Sequence, residues 1–102
     1  MIRVRYAPNC LSVEGHAEYA PVGRDIVCSA ASALFNAAVA SLEELDKKHT
    51  IPQRQGDGEA SVSYLGRKGK EAQTIIKTVV IGYRCLAYMY PDNIKVEAMS
   101  ND

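Results

Sequence analysis

The stretch MIRVRYAPNCLSVEGH, residues 1–16, settles how the fold begins. Ile2, Val4 and Tyr6 alternate with Arg3 and Arg5, the two-residue period of a strand with one buried face. Ala7-Pro8-Asn9 turns the chain. Leu11, Val13 and Gly15 then resume the alternation against Ser12, Glu14 and His16, which predicts a second strand paired with the first as a hairpin. From Ala17 to Arg24 the pattern dissolves around Pro21 and Gly23, so this segment reads as a loop.

Asp25 is a good helix N-cap, and Ile26, Val27, Ala30, Ala31, Leu34, Ala37, Ala38, Leu42 and Leu45 follow at three- and four-residue spacing. Alanines between Ala30 and Ala40 suit close packing. Lys47, Lys48 and His49 fit the negative end of this helix, and Pro52 bars its continuation. Gln53 to Gly58 reads as a polar connector, with Gly56-Asp57-Gly58 a hairpin-like or loop signal. Glu59 to Leu65 alternates again and predicts a third strand. After the basic turn Gly66 to Gly69, apolar positions from Ala72 to Tyr90 trace a second amphipathic helix that Pro91-Asp92-Asn93 stops. Ile94, Val96 and Ala98 predict a short last strand. The order β-β-α-β-α-β implies a two-layer α+β domain: a small, mostly antiparallel four-stranded sheet with two helices on one face.

The 102 residues are 47% apolar and 24% charged, the profile of one globular domain over residues 1–102. A chain this short buries only about two-thirds of its unfolded surface, so dimerisation would help it. Twelve Lys and Arg offset twelve Asp and Glu. That balance removes the global argument for nucleic acid or an anionic membrane as partner. No stretch reads as the roughly 18 apolar residues of a membrane span, and Arg3 and Arg5 interrupt a signal-peptide core. The expected location is the cytoplasm. The three cysteines, Cys10, Cys28 and Cys85, are odd in number and show no CxxC spacing, so they read as thiols rather than as a disulfide framework or zinc site.

The densest candidate chemistry lies at the junction of the second strand and the first helix, where His16 and Cys28 are the pair suited to nucleophilic catalysis. If Asp25 caps the helix, Cys28 lies in its first turn, where free N–H groups and the positive dipole end favour a thiolate. His16 would then take the thiol proton and return it to a leaving amine. The same first turn offers backbone donors for an oxyanion. The competing reading is structural: a first-turn Cys is commonly a small buried hydrophobe, and a strand-end His a hydrogen-bonded surface residue. Cys10 and Cys85 read as packing thiols. No cofactor is expected, because a metal site from Cys10, His16 and Cys28 would need a fourth ligand and matches no usual zinc spacing. Gly66-Arg67-Lys68-Gly69-Lys70 reads as a solvated basic loop, and His49 as a dipole partner. Tyr83, Tyr88 and Tyr90 read as core and dimer contacts.

Gly15-His16-Ala17, a variable loop, then Gly23, Asp25-Ile26-Val27-Cys28 and the small-residue run Ser29-Ala30-Ala31-Ser32-Ala33-Leu34 resemble the signature of the ribosomal-processing cysteine protease family, Prp. Chain length, opening hairpin, both helices and the last strand agree with that family. The resemblance implies a cysteine endopeptidase that removes a short N-terminal extension from a large-subunit ribosomal protein precursor. It puts the nucleophile on Cys28 and the catalytic His on His16, with Gly15, Gly23 and Asp25 in support. Asp25 caps the helix and is a candidate hydrogen-bond partner of His16. The resemblance also implies a homodimer, and a His-to-Cys loop that orders over substrate. Relatives in phage settings trim virion structural proteins, which is one alternative substrate class. Two further alternatives are a non-catalytic ribosome-binding module using Arg67 to Lys70 and a thiol redox sensor at Cys28.

Overall fold

The structure, a computed structural model, describes residues 1–18, 20, 25–56 and 58–99. Its elements are β1 (Ile2–Ala7), β2 (Cys10–Glu14), α1 (Ile26–Asp46), a 3-10 turn (Lys47–His49), β3 (Thr50–Arg54), β4 (Glu59–Tyr64), α2 (Gly69–Met89) and β5 (Ile94–Ala98). The chain is α+β as expected, but the sheet has five strands, in the order β3-β4-β2-β1-β5. Antiparallel pairing joins β1 to β2, β2 to β4 and β3 to β4, whereas β5 runs parallel to β1. The sheet is therefore mixed.

The strand absent from the sequence reading is β3. Pro52 within it, opposite Val62, argues against a central strand, and only Thr50 among its residues is buried. At a sheet edge neither objection holds, because one flank of the strand needs no partner. Lys47 to His49, expected in the last turn of the first helix, instead form the separate 3-10 turn that leads into this strand.

Alternation in the strands sends Ile2, Val4, Leu11, Val62 and Ile94 to one face of the sheet, where all are buried. Arg3, Arg5, Lys95 and Glu97 take the other face, with Arg5 Nε 3.5 Å from the Glu97 carboxylate. Both helices cover the apolar face. The α1 stripe Val27, Ala31, Phe35, Ala38 and Leu42 meets Ala72, Ile76, Val80 and Tyr83 of α2 in a continuous core. The Tyr83 hydroxyl donates to the Ala31 carbonyl at 2.7 Å, and burial pushes its phenol well above the ordinary tyrosine range. By length and composition α1 with its 3-10 turn, Ile26–His49, is apolar enough to cross a membrane, contrary to the expectation that no stretch would be. Of its residues, Val27, Ala31, Phe35, Ala38 and Leu42 are buried in the core, and 28% of its most apolar stretch is buried.

At the far end of α1 a polar cluster ties four elements together. Tyr64 donates to Asp46 Oδ2 at 2.7 Å and accepts from the Lys68 N–H at 3.0 Å, while His49 Nδ1 lies 2.9 Å from the same carboxylate oxygen. The hydrogen bond from Tyr64 chiefly, with help from His49, holds the Asp46 carboxyl below its ordinary range. Burial, and then the bond to Asp46, raise the Tyr64 phenol. Lys68 also donates to the Leu45 carbonyl, so the basic turn serves as a cap for α1.

Candidate active site

The N-terminal end of α1 meets the ends of β2 and β3 and the starts of β1 and β4. Asp25 precedes the helix with φ −81° and ψ 101°, the extended geometry of an N-cap. Its Oδ1 accepts from the N–H groups of Val27 and Cys28, each at 3.0 Å, and its Oδ2 accepts from the Ala20 N–H at 3.4 Å. Asp25 is buried, 7% exposed. The first-turn donors expected to serve an oxyanion are thus committed to Asp25. Capping wins because an unsatisfied N–H beside a buried carboxylate would cost more than the bond it forms.

Cys28 is half-buried one turn into the helix, on the flank that also carries Ala31, Ser32 and Phe35. These residues line a cleft of about 380 Å³ whose opposite wall includes Gly15, His16, Gly58 and Glu59. Both members of the sequence-predicted pair therefore face one space. The N–H of Ala17, the residue after His16, donates to Cys28 Sγ at 3.3 Å.

His16 is held by the backbone before it. Gly15 has φ +93°, and a Cβ there would lie 2.3 Å from the Met1 carbonyl oxygen, so only glycine fits. Its N–H donates to the Gly58 carbonyl at 2.7 Å. Gly58 in turn has φ +79°, and a Cβ on it would stand 2.7 Å from His16 Nε2. The imidazole lies flush against the β3–β4 connection. Arg54 also lines the cleft, and its guanidinium lies 5.3 Å from the Phe35 ring centroid and donates to Asn36.

Of the residues singled out from the sequence, Cys28, His16, Asp25 and Gly15 gather here. Gly23, together with Tyr19 and Pro21 of the predicted loop, lies outside the described residues. Cys10 is remote, its thiol 3.4 Å from the Met99 thioether and raised chiefly by burial. Cys85 is exposed on α2. Two contributors escaped the sequence reading, while Ser32, quoted there within the small-residue run, follows Cys28 by one helical turn and lines the cleft. Gly58 sat within a recognised loop signal. Asn93, read only as a helix stop, donates through Nδ2 to the Ala17 carbonyl at 2.9 Å; nothing local in the sequence announces that contact.

The family model described as cysteine protease Prp matches residues 1–95. The ribosomal processing cysteine protease Prp of Staphylococcus aureus is 28% identical over 85 residues, covering 82% of this chain and 80% of that protein. A crystal structure of the S. aureus ribosomal processing protease Prp with a covalently linked product peptide has TM-score 0.81 at 24% identity, covering 97% of this chain and all of that one (100%). A Streptococcus mutans protein has TM-score 0.75 at 25% identity, covering 97% of this chain and 94% of that one. With a family model spanning residues 1–95 and a cleft holding His16 and Cys28, the chain belongs to the cysteine protease Prp family.

Proposed function

We propose that this protein is a cysteine endopeptidase that removes a short N-terminal extension from a ribosomal protein precursor, with Cys28 as nucleophile and His16 as general base and acid. The observation that carries the reading is the shared cleft: His16 and Cys28 line it together, and the peptide bond between His16 and Ala17 touches Cys28 Sγ through its N–H. The substrate class follows from the relatives, which are ribosomal processing proteases.

In this mechanism His16 takes the Cys28 thiol proton. The sulfur bonds to the scissile carbonyl carbon, and the C=O π pair moves to oxygen. When the tetrahedral species collapses, the C–N bond breaks and His16 delivers its proton to the leaving amine. Water, deprotonated by His16, then hydrolyses the thioester and frees the thiol. Asp25 holds the first turn of α1 in place, and Gly15 and Gly58 fix the imidazole. Arg54 and Glu59, both exposed, also line the cleft.

The enzyme acts in the cytoplasm as a homodimer. Exposed apolar side chains on α2 support the dimer: Ile81 is 49% exposed and Tyr88 89% exposed, one face of the helix seven residues apart. A test of the site is covalent trapping with a chloromethyl ketone peptide that ends at the precursor's processing junction. Digestion and mass spectrometry are expected to find the adduct on Cys28 alone, with protection by excess precursor. Labelling spread equally over Cys10, Cys28 and Cys85 would contradict the assignment.

A further inference from the structure

The negative charge that forms on the scissile carbonyl oxygen needs a donor, and the structure narrows the choice. The N–H groups of Val27 and Cys28 are engaged by the Asp25 carboxylate, and that of Ser29 donates to the Asp25 carbonyl at 3.1 Å. Among the described residues, one further N–H meets the nucleophile. It belongs to Ala17, and its acceptor is Cys28 Sγ itself, 3.3 Å away.

That pairing has a chemical consequence. Before attack the sulfur lone pairs accept the Ala17 N–H. As the C–S bond forms, electron density leaves sulfur and collects on the adjacent carbonyl oxygen, bonded to the same carbon. The N–H loses its acceptor at the moment a stronger one develops beside it. A donor used in this way is stronger in the transition state than in the ground state, which is the requirement for lowering a barrier.

Such a donor works only if it cannot turn away. Ala17 is 1% exposed, with its side chain in the core. Its carbonyl accepts from Asn93 Nδ2 at 2.9 Å. Asn93 is fixed in turn, since its N–H donates to the Tyr90 carbonyl at 3.0 Å and its carbonyl accepts from the Ile2 N–H at 2.9 Å. The end of α2 and the start of β1 thereby brace the residue that carries the donor.

We propose that the Ala17 N–H is the oxyanion donor of the reaction and that Asn93 is the positioning residue that aims it. This rests on the cysteine protease reading. The direct test replaces the His16–Ala17 amide by an ester in a chain assembled by ligation at Cys28, which swaps the N–H for an oxygen and leaves every side chain in place. Kinetics on a fluorogenic peptide spanning the precursor's processing junction are expected to show kcat reduced about 100- to 1,000-fold. KM should stay within about threefold, because the bond is made to the transition state.

The positioning role has its own readout. Asn93→Ala is expected to lower kcat about tenfold with little change in KM. Asn93→Asp offers a carboxylate with no donor at neutral pH and a carboxylic acid that can donate below about pH 4. Its activity relative to wild type should therefore recover as pH falls, while the Asn93→Ala ratio stays flat. An ester chain whose kcat lies within threefold of the all-amide chain would overturn the donor assignment. Asn93 variants that change only KM, or an Asn93→Asp ratio that does not move with pH, would overturn the positioning role. An all-amide chain that cleaves no peptide would remove the protease reading first, and the donor with it.

Discussion

Asp25 offers one carboxylate to two first-turn N–H groups and closes the helix on which Cys28 sits. Asp25→Ala is expected to cost about 1 kcal/mol in urea unfolding, whereas Asn caps nearly as well and Asp25→Asn should cost far less. Equal losses in the two variants would show that capping is not the role. Activity separates the neighbours differently: Cys28→Ala should abolish cleavage with the fold intact, and His16→Ala should lower kcat by about 100- to 10,000-fold. Asp25→Asn should fall well short of that. Progress curves on one peptide rank all three. This part of the site was legible in the sequence, because an N-cap, a first-turn Cys and a strand-end His are local patterns. Asn93 was not, since its contact with Ala17 joins residues 76 positions apart.

Two connections between elements carry consequences of their own. Gly58 closes the β3–β4 hairpin against the imidazole, and Gly58→Ala adds a Cβ 2.7 Å from His16 Nε2 at a φ of +79°. A loss of about 1–2 kcal/mol from the left-handed backbone is expected, together with a fall in kcat from the displaced ring. Urea unfolding and kinetics on the same preparation check both, and an active Gly58→Ala enzyme would refute the contact. At the other end of α1 the Asp46 carboxyl titrates below its unfolded value near about 3.9 because Tyr64 and His49 bond it. Its stabilisation is therefore complete above that value and lost as pH falls through the lower folded value. Asp46→Asn should be less stable than wild type at pH 7, and the two should converge in acid. A constant difference across pH would contradict the linkage. The strands β1, β2, β4 and β5 and both helices followed from periodicity. Strand β3 did not, because an exposed edge strand has no apolar alternation to detect and can carry Pro52. The parallel β1–β5 pair escaped for a related reason: periodicity reports which face a strand buries, not its neighbour.

For the whole molecule, the topology brings the ends of β2 and β3 and the starts of β1, β4 and α1 to one edge of the core, and the cleft forms there. The polar cluster around Asp46 sits at the opposite end of α1, so substitutions in it should change stability without changing kcat. The proposed dimer belongs to this scale too. Sedimentation equilibrium is expected to give twice the chain mass, and Ile81→Lys combined with Tyr88→Glu should shift it to the monomer. A wild-type chain that sediments as a monomer at every concentration would exclude the dimer. The most direct test of the central claim is intact-mass analysis of the extended ribosomal protein after incubation with the wild-type protein or with Cys28→Ala. A single N-terminal fragment released by the wild type alone is the expected result. Release by the Cys28→Ala protein, or an uncut precursor with the wild type, would contradict it.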